Sequence, residues 1–142
     1  KTTIAALEET LRTYLDPERA LREIPTLALI AQPVKTIEQK ARRLLRKLGR
    51  WESVELRLEP GTSQVGGGAL PTEFLETRLV ALRTEGVSLA QVARQLRTND
   101  CCCVFARTQN DALLLDLRTV LEDEIDLLAQ AVRNALTAAG AR

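Results

Sequence analysis

CVFARTQNDALLLDLRTVLEDEIDLLAQAVRNALT, residues 103–137, carries the strand period and the helix period in one run. Cys103 to Arg107 and Ala112 to Arg118 read as two strands around Gln109-Asn110-Asp111. Thr119 with Glu122 three residues on has the form of a capping box, in which a hydroxyl and an acid satisfy orphan N–H groups at a helix start. It predicts a final helix to about Thr137, buried along Ile125, Leu128, Val132 and Leu136, positions spaced three or four apart. Strands in neighbouring runs, followed by a one-faced helix, predict a sheet covered by helices.

Upstream the same alternation continues. Ser88 with Gln91 predicts a helix through Arg97 that buries Leu89, Val92, Ala93 and Leu96. Phe74 to Leu82 reads as a strand, and Gly61 to Pro71 as a glycine-rich link or irregular strand. In Ser53 to Glu59, alternation puts Val54, Leu56 and Leu58 on one face. Pro33 to Gly49 is a helix with Val34, Ile37, Ala41, Leu44, Leu45 and Leu48 on its apolar side and Gly49 as its stop. Thr26 to Ala31 is apolar and fits either a strand or a helix start. Asp16-Pro17 supplies an N-cap and a proline at the first helical position for a short helix through Arg22. Thr3 to Leu15 places Ile4, Leu7, Leu11, Tyr14 and Leu15 on one helical stripe. The predicted class is α+β: a small antiparallel or mixed sheet covered by helices, with a leading N-terminal helix.

Composition narrows the chemistry. The 142 residues suit one domain of ordinary size. Hydrophobic residues make up 45% and aromatics 3%, so the core must be built from Leu, Val, Ile and Ala. No apolar run reaches the roughly 18 residues a membrane helix needs, and no charged-then-apolar leader opens the chain. With no His, every Ser–His or Cys–His relay and the usual metal ligand are gone. With no Met, Lys1 is not expected to be a translation start, and the function is expected to belong to a longer parent. Cys101-Cys102-Cys103 is odd and contiguous, which suits a reducing cytoplasm and no disulfide framework. Zinc wants ligands in separated pairs, so no metal site is expected and the thiols read as small apolar residues.

Three segments remain as candidates. Ser63-Gln64-Val65-Gly66-Gly67-Gly68-Ala69-Leu70-Pro71 gives the backbone freedom to approach a ligand or another chain, or simply forms a bulge. Asp116 and Arg118 share a strand face, where the guanidinium can grip a carboxylate, phosphate or carbonyl oxygen, or neutralise the aspartate. The Pro33 to Arg50 helix carries Lys35, Lys40, Arg42, Arg43, Arg46, Lys47 and Arg50 against Glu38, a surplus of six on a chain of net charge +1. Such a face either contacts nucleic-acid phosphates or is simply solvated. No nucleophile, base and orienting group assemble into a catalytic set.

Three stretches of the chain, KTTIAALEETLRTYLDPERALREIPTL (residues 1–27), SQVGGGALP (residues 63–71) and LLLDLRTV (residues 113–120), resemble the C-terminal part of bacterial selenocysteine synthase, the L-seryl-tRNA(Sec) selenium transferase family. The likeness runs through nearly the whole chain in order. It implies a pyridoxal phosphate enzyme of the aspartate aminotransferase fold whose cofactor is bound by a large domain upstream of this chain. Residues 1–24 would be the linking helical segment and residues 25–142 the small C-terminal domain, with no catalytic residue of their own. The implied reaction converts seryl-tRNA(Sec) to selenocysteinyl-tRNA(Sec) with selenophosphate through an aminoacrylyl-tRNA, in a cytoplasmic, ring-shaped homo-decamer with no membrane partner.

The resemblance makes Arg118 and Asp116 substrate-facing candidates. It makes Ser63, Gln64, Gly66, Gly67 and Gly68 a bend near a domain interface, and Lys35, Arg42, Arg43, Arg46 and Lys47 candidate tRNA contacts. Relatives usually carry proline and small apolar residues where this chain has the three cysteines. Two rival readings stand beside it: a non-enzymatic RNA-binding or assembly module, and the small domain of another pyridoxal phosphate enzyme.

Overall fold

The computed structural model describes residues 1–66 and 74–142. It divides into two compact units, Lys1–Pro33 and Val34–Arg142. The first holds three helices: α1 (Thr2–Thr13), α2 (Pro17–Glu23) and α3 (Pro25–Ala31). Asp16 caps α2, its carboxylate accepting the Arg19 N–H at 3.0 Å, and Pro17 fills the first helical position. Ile24 ends α2 in extended geometry and Pro25 restarts the chain as α3, which settles the Thr26 to Ala31 alternative as helix. The predicted stripe on α1 is exposed at Ile4, Leu7, Leu11, Tyr14 and Leu15.

The second unit is α4 (Val34–Leu48), β1 (Val54–Gln64), β2 (Phe74–Thr84), α5 (Leu89–Arg97), β3 (Arg107–Gln109), β4 (Ala112–Asp116), a 3-10 turn (Leu117–Thr119) and α6 (Ile125–Ala138). Its four strands form one sheet in the order β1-β2-β4-β3, every pair antiparallel. The small α+β architecture expected from the sequence is therefore the one observed. The cover is on one face. Val54, Val80, Leu82, Leu113 and Leu115 point into a single core with Ile37, Ala41, Leu44 and Leu48 of α4, Val92 and Leu96 of α5, and Leu128, Val132 and Leu136 of α6. Burial of each such leucine, isoleucine or valine contributes about 1.5–3 kcal/mol. The alternate positions Leu79, Ala81, Ala112 and Leu114 form a smaller buried cluster on the opposite face.

Several local readings change. The strand expected at Cys103 to Arg107 is displaced: residues 101–106 pair with no strand among the described residues and are tied by Val104 N–H to Leu96 O, and pairing begins at Arg107. The reason is the turn. Asn110 and Asp111 both take positive φ, 49° and 54°, which makes a two-residue hairpin that sets Gln109 opposite Ala112. Strand β4 stops at Asp116 because that carboxylate accepts the Arg118 N–H at 3.0 Å and caps the 3-10 turn. The Thr119–Glu122 capping box does not form. Thr119 Oγ1 instead donates to Asp116 O, and the Glu124 carboxylate accepts the Leu121 N–H at 2.8 Å, so α6 starts later. Ser88 does cap α5, accepting from the Gln91 N–H.

The segment read as a link or irregular strand is strand up to Gln64. The glycine that packing demands there is Gly61: a Cβ on it would collide with Cδ1 and Cγ of Leu79. A Cβ on Gly66 would meet nothing within 4 Å. Gly67 and Gly68, with residues 69–73, lie outside the described residues.

Candidate functional site

Three of the segments singled out by sequence line one cleft of about 620 Å³ in the second unit. Ser63 and Gln64 come from the end of β1, and Gly66 lies two residues beyond it. Asp116 and Thr119 come from the end of β4. The run from Cys102 to Arg107 forms the opposite lip, and Glu124, Leu127 and Leu128 at the start of α6 close the side. Phe105, on that lip, is 81% exposed.

Asp116 is the organising residue. It sits on the face of the sheet away from the helices, in register with Leu79 of β2. One carboxylate oxygen accepts the Ser63 hydroxyl of β1. The other accepts the Thr77 hydroxyl of β2 at 2.7 Å and the Arg118 N–H. A single charge thus joins β1, β2, β4 and the 3-10 turn. Charge-assisted bonds of this kind are shorter and stronger than neutral ones. With its oxygens turned to these donors, Asp116 is built to hold geometry.

Arg118 lies behind this knot, 5% exposed, and its guanidinium donates to Glu76 O of β2. Its side chain does not line the cleft that Asp116 lines. The 3-10 turn takes it off the strand face where simple alternation had set it beside Asp116.

The basic helix is largely answered by acids. Arg42 bridges to Glu38 at 2.7 Å, Arg43 to Glu122 at 2.7 Å and Asp126 at 3.6 Å, and Lys47 to Asp126. The hydrogen bond from Lys47 and its charge hold the Asp126 carboxyl below the usual carboxylate range, and Arg42 does the same for Glu38. Lys35 and Arg46 form no ion pair among the described residues. Lys40, on the same helix, is 2% exposed and donates to Val120 O beside the 3-10 turn. Burial lowers its pKa, against the pull of Glu122.

Sequence reasoning missed Thr77 and the inward course of Lys40. A threonine at a fully buried register position in the apolar strand β2 was the available signal for Thr77. Lys40 sits one residue before the core residue Ala41, on the edge of the apolar stripe.

Cys101, Cys102 and Cys103 are free thiols. Burial pushes the Cys102 thiol up to about 11, so it is neutral at pH 7. Among the described residues no group of three His, Cys, Asp or Glu could hold a metal ion. No lysine lines the cleft, and Lys40 is committed to Val120, so the described residues do not fit a pyridoxal phosphate linkage of their own. No helix among them is long and apolar enough to cross a membrane.

Residues 1–121 match the family model described as SelA: L-seryl-tRNA selenium transferase. Among curated relatives, the L-seryl-tRNA(Sec) selenium transferase of Solidesulfovibrio magneticus is 48% identical over 141 residues, covering 95% of this chain and 29% of the relative. Those of Geotalea uraniireducens and Moorella thermoacetica are 43% and 41% identical over 94% and 98% of this chain, and 29% and 30% of their own length. This chain therefore spans about 30% of the length of these relatives.

Proposed function

Because this chain belongs to the L-seryl-tRNA selenium transferase family, we propose that it is the C-terminal domain of an enzyme that converts seryl-tRNA(Sec) to selenocysteinyl-tRNA(Sec). The observation that carries this is the match over residues 1–121, which takes in Ser63, Gln64, Gly66, Asp116 and Thr119 of the cleft. The rest of the relatives' length is the source of the cofactor-bearing part. Pyridoxal phosphate held there would serve as the electron sink when the seryl hydroxyl leaves.

This chain's share is a wall. Asp116 faces the substrate side and fixes Ser63 at the end of β1, while Arg118 anchors the wall from behind. Selenophosphate and a homo-oligomeric ring belong to the same reading, as does a cytoplasmic setting. Of the basic helix, Lys35 and Arg46 are the residues best placed to meet tRNA phosphates, since Arg42, Arg43 and Lys47 are already paired.

The test is a hybrid in which this chain replaces the corresponding C-terminal part of the Solidesulfovibrio magneticus relative. The hybrid is expected to convert seryl-tRNA(Sec), whereas the 142-residue chain alone is expected to convert none. A hybrid that folds and loads cofactor but converts none overturns the reading.

A further inference from the structure

The cysteine triplet carries an inference that is independent of selenium transfer. The chain bends sharply at its start. Asn99 Oδ1 accepts the Cys101 N–H at 3.0 Å, and Asn99 Nδ2 donates to Ala131 O of α6 at 3.3 Å, so the bend is pinned to a helix. Neighbours in an extended strand point to opposite faces. Here the bend instead turns the Cys101 thiol toward that of Cys102, with the sulfurs 3.9 Å apart. Cys102 is itself held against the core beside Val104 and Ala106, while Cys101 and Cys103 are exposed.

The spacing selects a ligand. A disulfide bond is about 2.05 Å, so the two sulfurs are well outside bonding distance. With sulfur bonds of about 2.3 Å, a linear two-coordinate ion needs its sulfurs about 4.6 Å apart, whereas an angular, pyramidal atom whose lone pair closes its angles to about 100° needs about 3.5 Å. The observed 3.9 Å is nearer the angular atom, and rotation of the exposed Cys101 side chain closes the difference. Zinc is angular but takes four ligands, and the chain has no His to complete the set.

The geometry points to a site where Cys101 and Cys102 together bind a trivalent arsenical, an angular thiophilic centre that needs two protein sulfurs and keeps its third substituent. The exchange balances without an oxidant. Two As–OH bonds and two S–H bonds break, two As–S bonds form, and two waters leave. Arsenic stays trivalent and no net proton is released. That last point favours the metalloid over a metal cation, which must displace the proton that burial holds on Cys102.

The test titrates the reduced 142-residue chain with phenylarsine oxide and counts the remaining thiols by alkylation and intact mass. One equivalent is expected to protect two thiols and leave Cys103 open. Cys103→Ser should keep the adduct, and Cys101→Ser, a change at an exposed position, should lose it. Asn99→Ala, which frees the bend, should weaken the adduct about tenfold, the worth of one net hydrogen bond. An adduct that survives Cys101→Ser, or one that is lost in Cys103→Ser, overturns the assignment. So does zinc that protects the same two thiols at equal stoichiometry.

Discussion

Asp116→Ala should unfold the chain far more readily than its partly buried position suggests. The substitution removes acceptors for three donors: the Ser63 hydroxyl, the Thr77 hydroxyl and the Arg118 N–H. A hydrogen bond to a charged group has a net worth of about 1.5–3 kcal/mol, and a donor left buried and unsatisfied costs about 1–3 kcal/mol. Ser63 is near the cleft and regains water, which discounts its share. Thr77 has no exposed surface and regains none. The expected loss is about 3–5 kcal/mol, a large part of the 5–15 kcal/mol that holds a typical domain together. Thr77→Val alone should cost about 1–2 kcal/mol, because it removes one bond and leaves Asp116 two other donors. The double variant then orphans no buried hydroxyl, so the two losses should fail to add, with a coupling of about 1–2 kcal/mol. The assay is urea denaturation followed by circular dichroism, with the slope against urea checked for constancy. Losses that add to within about 0.5 kcal/mol would refute the knot.

Two further outcomes follow from the same geometry. Burial holds the Lys40 ammonium below its ordinary 10.5, so the folded chain sheds this proton first and the unfolded chain binds more protons between the two values. Stability should rise with pH in that alkaline window, level off above 10.5, and show the full cost of the buried charge below it. Urea midpoints of the native chain and Lys40→Met across alkaline pH should converge or cross, and parallel curves would count against the assignment. Gly61→Ala drives a methyl into Leu79 and should cost about 1–3 kcal/mol. Because Leu79→Ala removes the clashing methyls at its own burial cost, the two changes together should cost less than the sum of each alone in the same denaturation assay, and additive losses would reject the steric reading.

The helices were the readable part, because their signals are local. The apolar spacing of α4, Ser88 over α5 and Asp16-Pro17 over α2 each act within a turn or two, and each stands where sequence set it. The end of β4 was harder. The same few residues offered Thr119 as a cap and Asp116 as a strand residue, and a carboxylate that also had to answer Ser63 and Thr77 took the capping role first. The Cys103 to Arg107 strand failed for a related reason: extended residues become a strand only when a neighbour offers a free edge, and here the tight hairpin gives β4 to residues 107–109.

By itself the sequence determined the α+β class, the apolar faces of α4, α5 and α6, and the family, because periodicity and motif order are properties of the chain. Tertiary structure decided how the charges are used. Residues 53, 39 and 2 positions apart in the chain meet at Asp116, Lys40 turns inward to a carbonyl 80 residues away, and Arg43 finds Glu122 across 79. A charged side chain takes whichever partner the packed elements bring within reach, and no local pattern names that partner.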